Sequence, residues 1–488
     1  MLSTIIVKEL KNIIVSPKFS ATFAVTSLLL LLSVYVGINE YQATTRQYEA
    51  ATGLVDQRLR ETRSWARLSN RVYRVPNPMH VFVAGVNNDI GRTSIIDPTE
   101  QVKLTNSTYN DEPIYAAFRF IDFTFIVTII FSLFAILFTY DAVNGERENG
   151  TLQLTFANAL PRVHFIAGKF VGLWLGLIVP LLIPIVLSVV LVLAYKIPLA
   201  VDHWMSVAAI VLVSLLFCTF FIAFGICISA VTRRSSTSFL FLLVAWIVIS
   251  FILPRAGVMA AGTLHPVASV AEVEGMREAF AKQIWAKHRD EMQERFRKRA
   301  DEMQNMTAEE RSAYEDEHAW EMMEQEDKAR KDILKQIDLL GKKLEEETRN
   351  GRRQQEGLAL VLSRFSPASA YQLAAMTLAG MNIDVKSAYE DALSAYRASF
   401  VTYKEKKEKE SGDSGGIRIT VDSNTGFKFS MGRESGSLDI SEMPRFNASR
   451  FSFSGVLASA LPDIVLLCAF TFLAFAAAFV AFLRYDVR

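Results

Sequence analysis

One short string of the sequence matches the nucleophile motifs of serine hydrolases. Residues 412–416 spell GDSGG, which also satisfies the pattern G-x-S-x-G. Hydrolases with either motif need a scaffold that presents the serine and places a histidine within reach. Here the string follows the charged run at residues 404–410, and no histidine stands in a matching context. The sequence therefore predicts a flexible turn around Ser414 and no catalytic residue.

A second set of residues has side chains that bind metal ions in other proteins. Glu315, His318 and Glu321 recur at intervals of three residues, so they share one face of a helix. Helices this rich in charge produce such sets by chance, and the motif H-E-x-x-H is absent from the sequence. We therefore expect no metal site and no cofactor bound by this chain.

Nucleotide-binding chemistry is missing as well. The phosphate-binding motif G-x-x-x-x-G-K-[ST] does not occur, since Lys169 is followed by Phe170 and Lys342 by Lys343. If this chain takes part in energised transport, the ATPase must therefore be a separate chain. The net charge of +1 argues against a nucleic-acid partner.

The most polar short connector of the chain lies at residues 141–169, between two long apolar runs. It contains Glu146, Arg147 and Glu148 between Gly145 and Gly150. Its sequence is compatible with a short helix that is charged at one end. It therefore predicts a docking element through which another subunit moves this one. The alternative is a loop whose charges only enforce the membrane topology.

Six apolar runs are long enough to cross a bilayer, because about 20 residues of helix span the hydrocarbon core. A short amphipathic helix at residues 1–18 precedes them and is suited to lie in the membrane interface. The runs carry almost no charge, and Asp122 and Asp463 stand near their outer ends, which disfavours ion-coupled transport. We place the spans at residues 19–38, 121–140, 170–195, 204–231, 238–254 and 456–483.

Basic residues near the span ends indicate the orientation, since short cytoplasmic loops carry an excess of lysine and arginine. The sequence predicts a multi-pass protein of a bacterial inner membrane with both termini in the cytoplasm, ending in a tail at residues 484–488. Residues 39–120 and 255–455 are then extracytoplasmic. The short outer loop has only Lys196, whereas the inner side has Lys8, Lys11, Lys18, Arg147, Arg162, Lys169, Arg233, Arg234, Arg484 and Arg488.

The insertion at residues 255–455 is predicted to be mainly helical. Residues 271–350 contain no proline and are dense in acidic and basic side chains, which is typical of solvated helices. A capping box at residues 307–310 predicts that a second helix starts after a break near Asn305. We therefore expect a helical hairpin.

The second half of the insertion contains shorter elements. Ser366 and Pro367 form an N-cap and first-turn pair that opens a helix through Leu378. A further helix is expected from residue 384 to about residue 408, with Tyr389, Leu393, Tyr396, Phe400 and Tyr403 along its apolar side. Alternating residues at 417–421 and 427–431 predict a β-hairpin.

The connector and its flanking spans resemble the permease subunit of ABC-2 type transporters. That family commonly shows D-x-(I/V)-x-x-E-(R/K)-x-x-G-T-L after the second span, then an arginine, and then G-K entering the third span. The matching residues run from Tyr140 to Leu152 as YDAVNGERENGTL, followed by Pro161-Arg162 and by Gly168-Lys169.

The later part of the chain resembles one bacterial subgroup of these permeases. The matching residues are 373–380, which follow the Ser366-Pro367 pair, and the ending at residues 484–488. Members of this subgroup have a large extracytoplasmic insertion before the last span and are related to gliding-motility and nitrous-oxide-reductase-maturation permeases.

The resemblance implies an all-α polytopic membrane protein. It would have six transmembrane helices of the ABC-2 exporter type and a mainly helical extracytoplasmic domain carrying a small β-hairpin. Two permease subunits, identical or different, would face each other, with two ABC ATPase subunits that hold ATP and Mg²⁺ docked below. The expected partners are thus the ATPase, a second permease subunit and the lipid bilayer, with an extracytoplasmic protein as a further candidate.

The resemblance also implies that residues 141–157 form the coupling helix. Leu152, Leu154 and Phe156 would seat in a groove of the ATPase, and Glu146 and Arg147 would pair with it across the interface. The full set of expected ATPase-coupling residues is Asp141, Glu146, Arg147, Glu148, Gly150, Thr151 and Leu152.

Two functions follow from the sequence. The first is a permease, not itself an enzyme, that a separate ATPase drives in export or envelope remodelling. The alternative is a membrane-anchored protein that acts through its extracytoplasmic helical domain, by mechanotransmission or protein interaction, and moves no solute.

Overall fold

The computed structural model describes residues 2–65, 68–86, 91–96, 121–157, 161–304, 306–411, 417–422, 426–431, 438–447 and 451–484. For residues 308–324, 417–422 and 426–431 it describes only the backbone. The predicted turn at residues 412–416 lies outside the described residues. The same is true of the chain end at residues 485–488. Glu315, His318 and Glu321 lie where no side chains are described.

The predicted fold class is confirmed. The described chain is mostly helical, and six helices are long and apolar enough to cross a membrane. Contacts divide the chain into two units: the spanning unit, residues 1–254 with 364–488, and the insertion unit, residues 255–363. The six helices are Pro17–Glu61, Phe123–Glu148, Arg162–Ala194, Val201–Val231, Ser235–Leu264 and Phe453–Leu483.

The first half of the chain contains seven α-helices, two strands and one π turn among its described residues. In chain order these elements are α1 (Leu2–Ile14), α2 (Pro17–Glu61), β1 (Asn70–Tyr73), β2 (Thr93–Ile96), α3 (Phe123–Phe125), the first π turn (Ile126–Phe131), α4 (Ser132–Thr139), α5 (Asn144–Glu148), α6 (Thr151–Ala157) and α7 (Arg162–Ala194).

The second half continues with eight helices, a second π turn and two strands among the described residues. They are α8 (Val201–Val231), α9 (Ser235–Ile247), the second π turn (Val248–Ile252), α10 (Leu253–Leu264), α11 (Val270–Met303), α12 (Ala308–Ser363), α13 (Pro367–Leu378), α14 (Asp384–Ser411), β3 (Ile417–Asp422), β4 (Gly426–Met431) and α15 (Phe453–Leu483).

The first span is part of one long helix. The Ser16 side chain accepts a hydrogen bond from the Phe19 amide, and Pro17 occupies the first turn, so the start of α2 is well capped. The sequence suggested a span that ends at residue 38. Instead, α2 continues for 45 residues. At 1.5 Å per residue it is about 68 Å long, far more than the thickness of a hydrocarbon core.

The N-terminal helix α1, which was predicted as an amphipathic helix, packs against α7. Three glycines of α7, spaced by four residues, face three residues of α1 with the same spacing. A Cβ atom on Gly172 would lie 2.7 Å from the Cβ of Glu9, and Gly168 and Gly176 approach Ile5 and Ile13 as closely. Glycine permits this approach because it has no side chain. The two helices therefore run parallel and in register.

Helix α8 occupies the centre of the spanning unit. It packs against α15, α13, α4 and α7, and many of its side chains are buried, including Phe217 and Phe221. Both α8 and its neighbours are strongly apolar, which explains why they associate as a bundle.

The short helix α13 packs inside this bundle. Most of its residues are buried, from Pro367 to Leu378, and it contacts α8 and α15. Ser366 caps it as predicted, by accepting from the amides of Ala368 and Ser369. The sequence assigned this helix to the insertion ending at residue 455. The division by contacts instead ends the insertion unit at Ser363, because the small, apolar side chains of α13 fit between spanning helices.

A second hydrophobic core surrounds α14. The predicted apolar side of α14 is buried at Tyr389, Leu393, Tyr396 and Phe400, and Tyr403 packs against it. We call this cluster the α14 core. It also contains residues from the end of α2, from β1 and β2, and from residues 438–446. The β1–β2 pairing, which aligns Asn70 with Ile96, was not predicted. The predicted β3–β4 hairpin is confirmed.

The insertion unit contains the predicted helical hairpin, since α11 ends at Met303 and α12 begins at Ala308. The 56 residues of α12 give it a length of about 84 Å. Its C-terminal end lies antiparallel to α10, where Gln355 donates to the carbonyl oxygen of His265. Further along, His288 and Glu326 pair at 2.8 Å across α11 and α12.

The contact between α1 and α7 is testable with Gly172→Ala. The added Cβ has no room beside Glu9, so we expect a loss of about 1–3 kcal/mol in the free energy of unfolding. Amide hydrogen exchange of residues 2–14 should also become faster. The matched control is Gly53→Ala in α2, where nothing lies within 4 Å of the new Cβ. That change should stabilise the helix by about 0.5–1 kcal/mol. Equal effects of the two changes would contradict the packing.

Candidate coupling site

The connector, residues 141–157 between the second and third spans, folds as two short helices. The expected coupling helix over residues 141–157 is interrupted, because α5 ends at Glu148 and α6 begins at Thr151. Gly150 stands between them with φ of +70°, a left-handed conformation that glycine adopts without steric cost. The connector is therefore a bent pair of helices.

Glu146 of α5 belongs to a buried ion network. Its carboxylate lies 2.8 Å from the ammonium of Lys169 and 2.8 Å from that of Lys8. Lys169 also pairs with Glu9 at 3.0 Å. The side chains of Lys169, Glu9 and Glu146 are only 4%, 8% and 11% exposed. Glu146 was expected to face the ATPase. In the structure it joins α5 to α1 and α7 instead.

The ion network is balanced in charge, which explains how it tolerates burial. Two carboxylates and two ammonium groups meet where α1, α5 and α7 converge. Burying a charge without a partner costs several kcal/mol of desolvation energy. The opposite charges of this network offset that cost. Removing one partner should therefore destabilise the site much more than a surface ion pair would.

Asn144 connects α5 to the fourth and fifth spans, α8 and α9. Its side chain is fully buried. The amide oxygen accepts hydrogen bonds from the hydroxyls of Ser229 at 3.1 Å and Ser235 at 3.2 Å. The amide nitrogen donates to the hydroxyl of Thr232 at 3.1 Å. The Ser229 oxygen in turn accepts from the amide of Val143. The end of α8 and the start of α9 are thus tied to the same residue.

Glu148 holds the start of α9. Its carboxylate accepts from the backbone amide of Ser235 at 2.9 Å and from the Ser235 hydroxyl at 2.7 Å. A carboxylate at a helix N-terminus satisfies an unpaired amide and interacts favourably with the helix dipole. The sequence placed Glu148 among residues that touch the ATPase, and the structure gives it a partner within the chain.

Three other expected coupling residues hold the connector in shape. The backbone carbonyl of Asp141 accepts from the amide of Gly145, and the Thr151 hydroxyl donates to the carbonyl of Glu146 at 3.1 Å. Leu152 is 1% exposed and belongs to the main core of the spanning unit. All three of these contacts lie within the chain.

Helix α6 has one buried and one exposed side. Phe156 packs against Phe165 and Phe482, with ring centroids 5.3 Å and 6.2 Å away. Leu154 points the other way and is 69% exposed. Of the three apolar residues expected to seat in an ATPase groove, only Leu154 is therefore on the surface. Gln153 beside it is exposed too, and Arg147 of α5 is half-buried.

Sequence reasoning missed several residues of this site. Lys8 was taken only as a topology charge, Lys169 as a topology charge and part of the family motif, and Glu9, Asn144 and Ser229 were not singled out. One signal could have found part of the network. Glycines at 168, 172 and 176 have the spacing of a close-packed helix interface, and Lys169 stands among them.

Comparison with protein families gives a match over nearly the whole chain. Residues 3–487 match the family described as ABC-2 family transporter protein. The chain belongs to this family. The predicted family is thereby confirmed. Membership makes the chain a permease component of an ABC transporter, embedded in a bilayer as a multi-pass protein, and implies an ABC ATPase partner.

Two further findings concern relatives and metals. No curated protein matches the chain. Among the residues whose side chains the structure describes, no group of three or more His, Cys, Asp or Glu side chains could hold a metal ion. Membrane components of this family generally perform no chemistry themselves and have the ATPase on a partner.

The ion network predicts the effect of Lys169→Met. This change leaves Glu9 without its cation in a buried site, so we expect a loss of about 3–5 kcal/mol in the free energy of unfolding. Thermal unfolding of the purified protein measures it. Lys8→Met is the matched control, since the Lys8 side chain is 51% exposed and its loss should cost about 1 kcal/mol or less. Adding Glu9→Gln to Lys169→Met should recover part of the loss. If both lysine variants unfold alike, the network is not the anchor of the connector.

Proposed function

We propose that this chain is the permease of an ATP-driven export or envelope-remodelling complex. A separate ATPase subunit binds ATP and Mg²⁺ and moves the permease through residues 141–157. One observation carries the proposal: this connector is fastened to four helices on its inner side and presents Leu154 on its outer side. In this proposal the ATPase pushes on the outer side, and the inner contacts pass the force to the four helices.

The fastening explains how one contact would move several spans. The ion network joins α5 to α1 and α7, Asn144 joins it to α8 and α9, and Glu148 holds the start of α9. Packed helices respond to a push as rigid bodies, because their interfaces are not continuously deformable. A displacement of α5 therefore displaces these helices together.

The remaining parts of the proposal concern the setting of the complex. The chain lies in a bacterial inner membrane with both termini in the cytoplasm, in agreement with the distribution of its basic residues. It pairs with a second permease subunit, and it belongs to the subgroup with a large extracytoplasmic insertion before the last span. Residues 366–380 and the length of the insertion support this assignment to the subgroup.

Docking at α6 predicts a loss of the ATPase on Leu154→Asp. The charge replaces an apolar side chain at the contact, so we expect at least a tenfold drop in the ATPase that co-purifies with the full chain, a change of about 1.4 kcal/mol. Thermal stability should not change. Leu54→Asp in α2 is the matched control, because Leu54 is 68% exposed, close to the 69% of Leu154. The proposed contact is wrong if the Leu154→Asp variant retains the ATPase, or if both variants lose the ATPase.

Transmission through α5 predicts a different result for Asn144→Ala. The contact surface on α6 is unchanged, so the ATPase should still co-purify. The Ser229 hydroxyl loses its acceptor, whereas the Ser235 hydroxyl keeps Glu148, and we expect a loss of about 1–3 kcal/mol in stability. The change in ATP hydrolysis that the wild-type permease confers on the ATPase in nanodiscs should shrink. Asn149→Ala is the control at an exposed position of the same connector, and the change in ATP hydrolysis should remain as in wild type. A normal ATPase response in Asn144→Ala would contradict transmission through α5.

A further inference from the structure

Helix α13 is held inside the spanning unit by four polar contacts, each to a different span. The hydroxyls of Tyr371 and Ser214 lie 2.8 Å apart, which links α13 to α8. Gln372 reaches the Thr128 hydroxyl at 3.4 Å. Just before the helix, Ser366 donates to the carbonyl oxygen of Ile249. The fourth contact is a paired interaction of Arg364 with the buried carboxylate of Asp463 in α15.

Two of these contacts fall on the π turns. Thr128 lies in the first π turn and Ile249 in the second. A π turn widens the helix and alters its backbone hydrogen bonds, and such turns recur at functional sites. The Ser366 hydroxyl satisfies one carbonyl in the second turn. Helix α13 therefore meets the second and fifth spans where their backbones depart from regular α-helix.

The contact with α8 is the deepest of the four. The Tyr371 side chain is fully buried, and its ring stacks on Phe217 with centroids 4.7 Å apart. Ser229, near the other end of α8, is held by the connector. Ser229 lies 15 positions after Ser214, which corresponds to about 22 Å of continuous helix. One helix thus touches the coupling site near its end and α13 in its middle.

The other end of α13 leads directly into the α14 core. Five residues, 379–383, separate α13 from α14. Two hydrogen bonds hold these residues in place. The Met381 carbonyl accepts one from the amide of Val86, and the Ala379 carbonyl accepts the other from the side chain of Asn77. Gly85 has φ of +50°, and a Cβ there would lie 2.5 Å from the Met381 oxygen. This short connection, in which Ala379 and Met381 are buried, has little freedom to absorb a displacement of α13.

We propose that α13 transmits movement of the spanning helices to the α14 core, so that this part of the chain is moved mechanically when the ATPase acts. The proposal rests on the proposed function, in which the connector receives the force. The displacement passes from Asn144 to α8, from Ser214 to Tyr371, and from α13 to α14. The complex then does work on its extracytoplasmic part, and this work does not require a solute to cross the bundle.

The test measures one distance in the full chain with its co-purified ATPase, reconstituted in nanodiscs. The three native cysteines, Cys218, Cys227 and Cys468, are replaced by alanine. Spin labels are attached at Ser394, exposed on α14, and at Ala194, exposed at the end of α7. Double electron–electron resonance compares the nucleotide-free state with the state trapped by ATP and vanadate. We expect a shift of about 2 Å or more, the scale of helix shifts in switching proteins.

Two variants remove the central hydrogen bond from opposite sides. Tyr371→Phe keeps the ring stacked on Phe217, and Ser214→Ala keeps α8 intact. Each variant should reduce the nucleotide-dependent change in distance about twofold or more. The double variant should reduce this change no more than either single variant does. Tyr403→Phe is the matched control. It removes a hydroxyl that donates to the Asp439 carbonyl within the α14 region, and should leave the shift unchanged.

The outcomes separate this proposal from the proposed function. If no ATPase co-purifies, the proposed function fails, and transmission fails with it. If the ATPase binds and hydrolyses ATP but the wild-type distance does not respond to nucleotide, only the transmission proposal fails. It fails as well if the shift survives unchanged in both Tyr371→Phe and Ser214→Ala. Because these two variants lie on different helices, misfolding of one leaves the other as a valid test.

Discussion

The buried ammonium of Lys169 is the charge on which the coupling site depends. It lies between the carboxylates of Glu9 and Glu146, and so connects the N-terminal helix, the connector and the third span. A lysine this deeply buried needs compensating charge, and its partners come from two other elements, the N-terminal helix and the connector. The three glycines of α7 make the arrangement possible, because they let α1 approach closely enough for Glu9 to reach Lys169.

The polar contacts of the spanning unit follow a common pattern. Within an apolar bundle, side-chain hydroxyls and amides find partners on neighbouring helices, since a polar group left unpaired there is costly. Asn144 gathers three hydroxyls at the ends of α8 and α9, and Tyr371 meets Ser214 in the middle of α8. Such contacts fix the relative positions of the helices. They also define where a displacement of one helix must be followed by its neighbour.

Much of the architecture was predictable because its causes are local. A run of apolar residues predicts a span wherever it occurs, and all six were recognised. Ser366 with Pro367 predicts a helix start, and the β3–β4 hairpin follows from alternation around a turn. The strands β1 and β2 were missed, because each has only four residues and they are separated by a long connection. The position of α13 was missed for another reason: a short helix rich in alanine is compatible with a soluble domain as well as with a membrane bundle.

The sequence alone determined the family, the number of spans and the position of the connector, because motif spacing and hydrophobicity are properties of contiguous residues. Only the tertiary structure decided which way the connector residues face. Glu146, Glu148 and Leu152 match the sequence pattern of a docking motif. In the structure Glu146 pairs with Lys169, Glu148 accepts from Ser235, and Leu152 packs in the apolar core. Leu154 remains on the surface. The partner of a charged side chain depends on which distant helix lies beside it, and that is settled by packing.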